Sequence, residues 1–242
     1  MPTLPSWTRW LLSAALFSVL ALASWHGQID DVYITLGFSH QWWETGHLAW
    51  TNGEVVEGYS NPLWMLLGVL PFAIRIDPGV FLQLVSLGCV LGILRLLSKH
   101  LTGIVGLAVL LLVASAEPVV FWGAMGMETA AFALALMGWS RLDRPTWCIG
   151  ALTVACLLRP EGHAHYLAAA GALLLQDRSA VVKPLLVTGG LLALYHATRI
   201  GWFGEWLPTT VLVKAIDNPP LSGGLKQALL DVLPWLGPAG LL

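Results

Sequence analysis

Apolar residues in this chain are gathered into nine runs, at about 10–26, 62–74, 79–97, 101–116, 125–140, 146–158, 163–176, 182–198 and 225–242. A helix that crosses a bilayer needs about 20 such residues, within a range near 17–25. Backbone in contact with lipid must close its own hydrogen bonds, which selects helices and excludes open strands. Charge agrees with the runs. Only 11% of the residues are Asp, Glu, Lys or Arg, against about 25% in a soluble domain. The expected fold is therefore all-α, a single polytopic transmembrane helical bundle over residues 1–242. It should hold about eight or nine helical segments, with no soluble domain and no repeat.

Composition removes several functions. A net charge of −2 offers a nucleic acid no electrostatic footing, so no nucleic-acid partner is expected. Cys89, Cys148 and Cys156 lie in apolar runs and read as small core residues. His40 and His47, like His163 and His165, lack metal-ligand spacing, so no metal site is assigned. Thirteen tryptophans suit the headgroup zone of a membrane.

The first run follows Arg9 and resembles a signal peptide, with Ala21-Leu22-Ala23-Ser24 as a cleavage sequence. Trp7, Trp10 and Trp25 bracket the run, and the rest of the chain is membrane as well. The run is therefore expected to stay as an uncleaved first helix, with the N-terminus inside.

Lys and Arg in short loops set orientation. The clusters Arg95/Lys99, Arg141/Arg144 and Arg178/Lys183 alternate with stretches around Glu128, around Arg159 and Glu161, and over 199–218. The clusters are expected inside and the alternating stretches outside. That placement allows only an odd number of crossings between 62 and 94. The run 62–74 has 13 residues, about 20 Å of helix, which is short for a ~30 Å core. It is expected to re-enter or to lie partly within protein.

Residues 27–61 form the first extracytoplasmic loop in this scheme. An amphipathic helix over 31–45 is expected to lie on the bilayer surface, with Val32, Leu36 and Trp43 on its apolar side and Ile34 and Phe38 nearby. Thr35, Ser39 and Gln41 would be its polar side. Gly46 should stop it, Thr51-Asn52-Gly53 should turn, and Ser60 or Asn61 should cap the next helix ahead of Pro62.

Four polar sites stand at helix ends. Asp30 and Asp31 follow the first run. A solvated loop start would explain them, but an acidic pair at a membrane edge also suits proton abstraction. Glu128, in Gly126-Met127-Glu128-Thr129, could simply offset a helix dipole. Arg159, in Arg159-Pro160-Glu161-Gly162, could pair locally with Glu161, or grip a phosphate in a bidentate fork. Lys214, after Pro208-Thr209-Thr210, could be an interfacial lysine or a second phosphate contact. A transporter would place such groups or broken helices near the midplane; an enzyme acting on a lipid headgroup would place them at the interface.

Taken in order, Asp30-Asp31-Val32-Tyr33-Ile34, Glu57-Gly58-Tyr59-Ser60-Asn61-Pro62-Leu63-Trp64, Gly126-Met127-Glu128-Thr129 and Arg159-Pro160-Glu161-Gly162 resemble the polytopic GT-C glycosyltransferases. The nearest likeness is to the branch holding the mycobacterial terminal arabinofuranosyltransferases, and it spans about residues 28–215. Pro208-Thr209-Thr210 with Lys214 is similar to that branch's Pro-Asn-Thr segment. Two positions depart from the pattern: relatives often carry Arg where Gly37 stands and Asn where Thr209 stands. Relatives are about twice as long, so the chain is expected to be an incomplete GT-C module.

The resemblance implies a membrane glycosyltransferase of the bacterial cytoplasmic (inner) membrane with its active site facing outside. Its donor would be a polyprenyl-phosphate sugar and its acceptor an envelope glycan or lipid, with membrane lipids around it. Asp30 or Asp31 would be catalytic. Arg159 and Lys214 would hold the donor phosphate. Glu57, Tyr59, Asn61, Glu128, Glu161 and Thr209 would shape the substrate pocket. No cofactor is required by the motifs, although a divalent cation is compatible with them. The alternatives are a non-catalytic polytopic protein of assembly or motility, and a transporter.

Overall fold

A computed structural model describes residues 4–25, 27–176, 178–206 and 208–210. Among them are eleven α-helices, one 3-10 helix and no strand. In order these are α1 (Ser6–Ala23), α2 (Asp30–Thr45), α3 (Pro62–Leu67), α4 (Leu70–Ile74), α5 (Pro78–His100), α6 (Gly103–Ser115), α7 (Glu117–Ala124), α8 (Thr129–Leu136) with the 3-10 turn Met137–Arg141, α9 (Pro145–Leu158), α10 (Gly162–Gln176) and α11 (Arg178–Phe203). Each apolar run up to 198 is mostly helical among the described residues; the run 225–242 lies outside them.

Among the described residues three helices are long and apolar enough to cross a membrane: Ser6–Ala23, Pro78–His100 and Ser179–Phe203. The pair α6 and α7, bent by 53°, makes a fourth if it is one span. The protein is thus a membrane protein. The outer helix faces carry Ile104, Leu112, Leu175 and Leu186 in exposed positions, as lipid contact requires. The breaks follow from local chemistry. Pro62, Pro78 and Pro145 occupy first-turn positions, where a missing N–H costs nothing. Asp77 caps α5 through a 2.8 Å bond from the Val80 N–H. Ala116 is extended between α6 and α7, and Pro118 keeps the second helix from joining the first.

Lipid tails supply no hydrophobic drive between helices, so close packing must hold them together. Small residues permit it. Phe17 is fully buried among Ala21, Ala114 and Ala124 at the junction of α1, α6 and α7. A Cβ at Gly123 would fall 2.7 Å from the Phe17 ring. A second cluster joins α9, α10 and α11 through Cys148, Leu152, Ala169 and Leu192. A third, with Val32, Trp64, Leu82 and Leu158, lies directly beneath the polar loops.

The helix ends sort into two groups. At one end, Arg9 donates to the Ser98 carbonyl at 2.9 Å and to the Leu4 carbonyl, and the Arg95 guanidinium lies 5.8 Å from the Trp10 ring centroid. Lys99, Arg141 and Arg144 gather there too. At the other end meet Asp31, Asn61, Glu128 and Arg159. Segment 62–77 leaves that second end at Asn61 and returns to it, since Gly79 at the start of α5 packs against the Gln28 amide. It is a short hairpin, split into α3 and α4. Segment 62–77 thus starts and finishes at one end of the bundle, while α5 runs from there to the end that holds Arg95 and Lys99.

Helix α2 forms, and Gly46 ends it in the left-handed conformation at φ 71°. Its inward face differs from expectation. Thr35 and Ser39 are buried alongside Val32, Leu36 and Phe38, whereas Ile34 and Trp43 are exposed. The hydroxyls have partners on the site side: Ser39 Oγ lies 2.7 Å from the Met65 carbonyl, and Thr35 meets Asn61.

Candidate functional site

The acidic loops converge because three short segments are pinned individually. Gly126, at φ +79°, turns the chain so that its carbonyl accepts the Trp64 indole N–H at 3.0 Å. The Met127 carbonyl accepts Ser86 Oγ at 2.8 Å. Glu128 is thereby held inward at 5% exposure. Gly58 passes so close to Phe38 that a Cβ would fall 2.9 Å from the ring, and this threads Tyr59 and Asn61 beneath α2. The break between α9 and α10 presents Arg159.

Asn61 occupies the position expected of a helix cap, but its side chain does not cap. Its Nδ2 donates to Glu128 Oε2 at 2.9 Å and lies 3.3 Å from Thr35 Oγ1. Glu128 likewise makes no cap bond to α8; its other oxygen faces Arg159 Nη1 at 3.4 Å. Arg159 also meets Glu161 at 3.3 Å, so the local pair exists and is not exclusive. These are long contacts for a guanidinium, whose charge-assisted bonds run about 2.7–2.9 Å.

Asp31, Thr35, Tyr59, Asn61, Glu128 and Arg159 line a single cavity of about 300 Å³, together with Thr129 and Thr210. The Thr129 and Thr210 hydroxyl oxygens are buried without a hydrogen-bond partner among the described residues. A buried unsatisfied hydroxyl costs about 1–3 kcal/mol, and a polar ligand in the cavity would relieve it. One guanidinium faces two carboxylates across this space. No group of three His, Cys, Asp or Glu side chains is placed to hold a metal ion among the described residues.

The other expected residues are distributed around this cavity. Asp30 is exposed and is not among its lining residues. Glu161 is exposed, is not among the lining residues, and pairs with Arg159, which is. The Thr209 N–H donates to the Glu57 carbonyl at 3.2 Å, which ties the chain after α11 to the loop. Lys214 lies outside the described residues.

Glu57 faces a different partner, Arg199 on α11, which sequence reasoning missed. Arg199 Nε and Glu57 Oε2 are 2.6 Å apart, with side chains 3% and 2% exposed. Arg199 also donates to the Trp206 carbonyl at 2.9 Å, while its Nη2 has no partner among the described residues. Burial pushes the Glu57 carboxyl above its ordinary value, and Arg199 opposes the shift. Burial likewise raises the Tyr59 phenol. Beside this pair lies a second cavity of about 240 Å³, walled by Trp42, Met65, Leu66, Trp202 and Phe203. Tyr59 lines both cavities.

Comparison with protein-family models, curated proteins and solved structures returns no match.

Proposed function

We propose that the protein is a GT-C-like membrane glycosyltransferase that moves a sugar from a polyprenyl phosphate to an envelope glycan or lipid on the outer face of a bacterial cytoplasmic membrane. One observation carries the reading: residues from four separate sequence motifs, Asp31, Tyr59 with Asn61, Glu128 and Arg159, line one cavity at one end of the bundle. A transporter is disfavoured by the same placement. These groups come from helix ends and loops, where an interfacial headgroup reaction needs them, and not from mid-helix positions.

Asp31 takes the proton of the acceptor hydroxyl as general base. The acceptor oxygen attacks the anomeric carbon, and the bond from that carbon to the phosphate oxygen breaks. The electron pair leaves with the polyprenyl phosphate, whose growing charge Arg159 stabilises. Lys214 is assigned a second phosphate contact on sequence grounds alone. Tyr59, Asn61 and Glu128 shape the sugar and acceptor pocket, Thr209 supports it through its bond to the Glu57 carbonyl, and Glu128, itself held by Asn61, positions Arg159. The neighbouring apolar cavity suits the first isoprenoid units of the donor. No step runs through a metal ion.

The test is Asp31→Asn beside Asp30→Asn in the longest available chain, with consumption of the lipid-linked sugar as readout. Loss of a true general base should slow turnover at least about 10²-fold. Asp30→Asn, away from the cavity, should keep near-normal turnover. Wild-type turnover in Asp31→Asn rejects the catalytic assignment.

A further inference from the structure

The end of the bundle remote from the acid cavity holds a second feature, independent of the glycosyltransferase reading. There α5, the α8–3-10 segment and α9 enclose a cavity of about 380 Å³. Its rim is basic, with Lys99 and His100 from α5 and Arg141 and Arg144 from the turn before α9. Asp143 is the acid that touches them, 3.4 Å from Arg141 and 3.7 Å from Arg144. Lys99 and His100 have no acidic partner among the described residues. The floor is apolar, formed by Leu96, Leu134, Met137 and Ala151. Trp147 stands at the edge, 72% exposed.

Simpler readings cover part of this. Basic residues flank membrane helices as an orientation signal, and Lys99 and His100 sit in the last turn of α5, where a cation offsets the dipole. Neither explains why cations from two separate elements ring one hollow with an apolar floor. Nor do they explain why the N-terminus of α9, the positive end of a helix dipole, opens beside the same hollow. A soluble phosphate would need only the rim. An amphiphile uses rim and floor together, and Trp147 adds the interfacial indole that favours the headgroup depth.

We propose that this cavity binds the headgroup of an anionic phospholipid from the surrounding bilayer, with its phosphodiester among Lys99, Arg141 and Arg144 and its glycerol carbons toward Leu134 and Met137. The full chain would be reconstituted with spin-labelled phosphatidylglycerol or phosphatidylcholine, and the immobilised lipid fraction measured. Wild type should prefer phosphatidylglycerol. Lys99→Gln and Arg144→Gln should each reduce the preference about 5-fold, and the pair about 30-fold, the scale of a basic residue near an anionic surface. Arg144 is 62% exposed, so its replacement should leave the fold intact. Lys183→Gln, an exposed lysine on α11 outside the cavity, should have little effect. The proposal is overturned if the double variant keeps the preference, or if Lys183→Gln lowers it as far as Lys99→Gln does. Displacement of the labelled lipid by inorganic phosphate, beyond the effect of chloride at equal ionic strength, would also reject the lipid as occupant.

Discussion

Two arginines meet buried carboxylates at the same end of this protein, and they do so in opposite ways. Arg199 and Glu57 are both almost wholly buried and stand 2.6 Å apart. Arg159 is 35% exposed, with Glu128 at 3.4 Å and Glu161 at 3.3 Å. The first contact is a clamp: it closes α11 onto the loop after α2 through Glu57 and reaches on to the Trp206 carbonyl. The second is loose, with the charge spread over two acids at longer range, although both arginines border cavities. A guanidinium held at long range by two partners can turn its fork to an incoming phosphate without leaving a carboxylate stranded. The difference teaches that the buried pair is committed to holding two segments together, while the half-exposed guanidinium keeps capacity for a further partner.

The largest effect should come from opening the clamp. Arg199→Gln leaves a buried carboxylate without its cation, and such a loss typically costs about 3–5 kcal/mol. Thermal unfolding of the detergent-solubilised protein should show it as a marked fall in Tm. Changing both partners, Arg199→Met with Glu57→Met, should recover much of that loss, because an apolar pair avoids the desolvation cost. An unchanged Tm in Arg199→Gln would dissolve the contrast between the two sites.

Arg159→Lys should act on function and leave stability nearly alone. An ammonium cannot reproduce the bidentate fork, so donor affinity should weaken about tenfold, the equivalent of about 1.4 kcal/mol, while the Tm stays near that of wild type. Titration of the polyprenyl phosphate sugar measures it. Equal affinity for wild type and variant would reject the phosphate role. If Glu161→Gln reproduces the loss seen in Arg159→Gln, the pair is a turn brace and nothing more.

The smallest effect sharpens the same distinction. Thr129→Val and Thr210→Val remove hydroxyls that find no partner among the described residues. Exchanging an unsatisfied buried hydroxyl for a methyl should be neutral or stabilising, by up to about 1 kcal/mol. If the cavity takes a polar substrate, the same changes should raise KM for the acceptor. A loss of Tm instead would show that these hydroxyls serve the fold.

Much of this arrangement was legible in the chain, and the reasons differ by residue. Helix positions followed from the apolar runs, since a lipid solvent leaves the backbone few options. Asp31, Asn61, Glu128 and Arg159 stood out because each interrupts an apolar context with a polar motif. Arg199 was hidden: it ends a run, reads as an ordinary boundary residue, and its partner Glu57 is 142 positions away. The nearby Tyr195 and His196, polar-tipped aromatics just before it in an apolar helix, were the available hint. Polarity alone places Thr35 and Ser39 on the water side of α2, but both are buried. Here the polar side faces the protein, where Asn61 and the Met65 carbonyl wait for hydroxyls. No local pattern reports such a long-range partner.

The hairpin of α3 and α4 has a consequence for how the protein is made and how it can diverge. Because the segment leaves and rejoins the same end, its length has no bearing on the direction in which later helices thread the bilayer. Residues could be gained or lost between Gly68 and Asp77 during evolution without inverting α5 or anything after it. Deleting α5 would invert everything that follows. The hairpin can also settle into place after its neighbours have been inserted, since its own apolar content is too short to stop a translocating chain reliably. Variation among related chains should therefore collect at 68–77, a few residues from the acid cavity, without cost to the handedness of the whole.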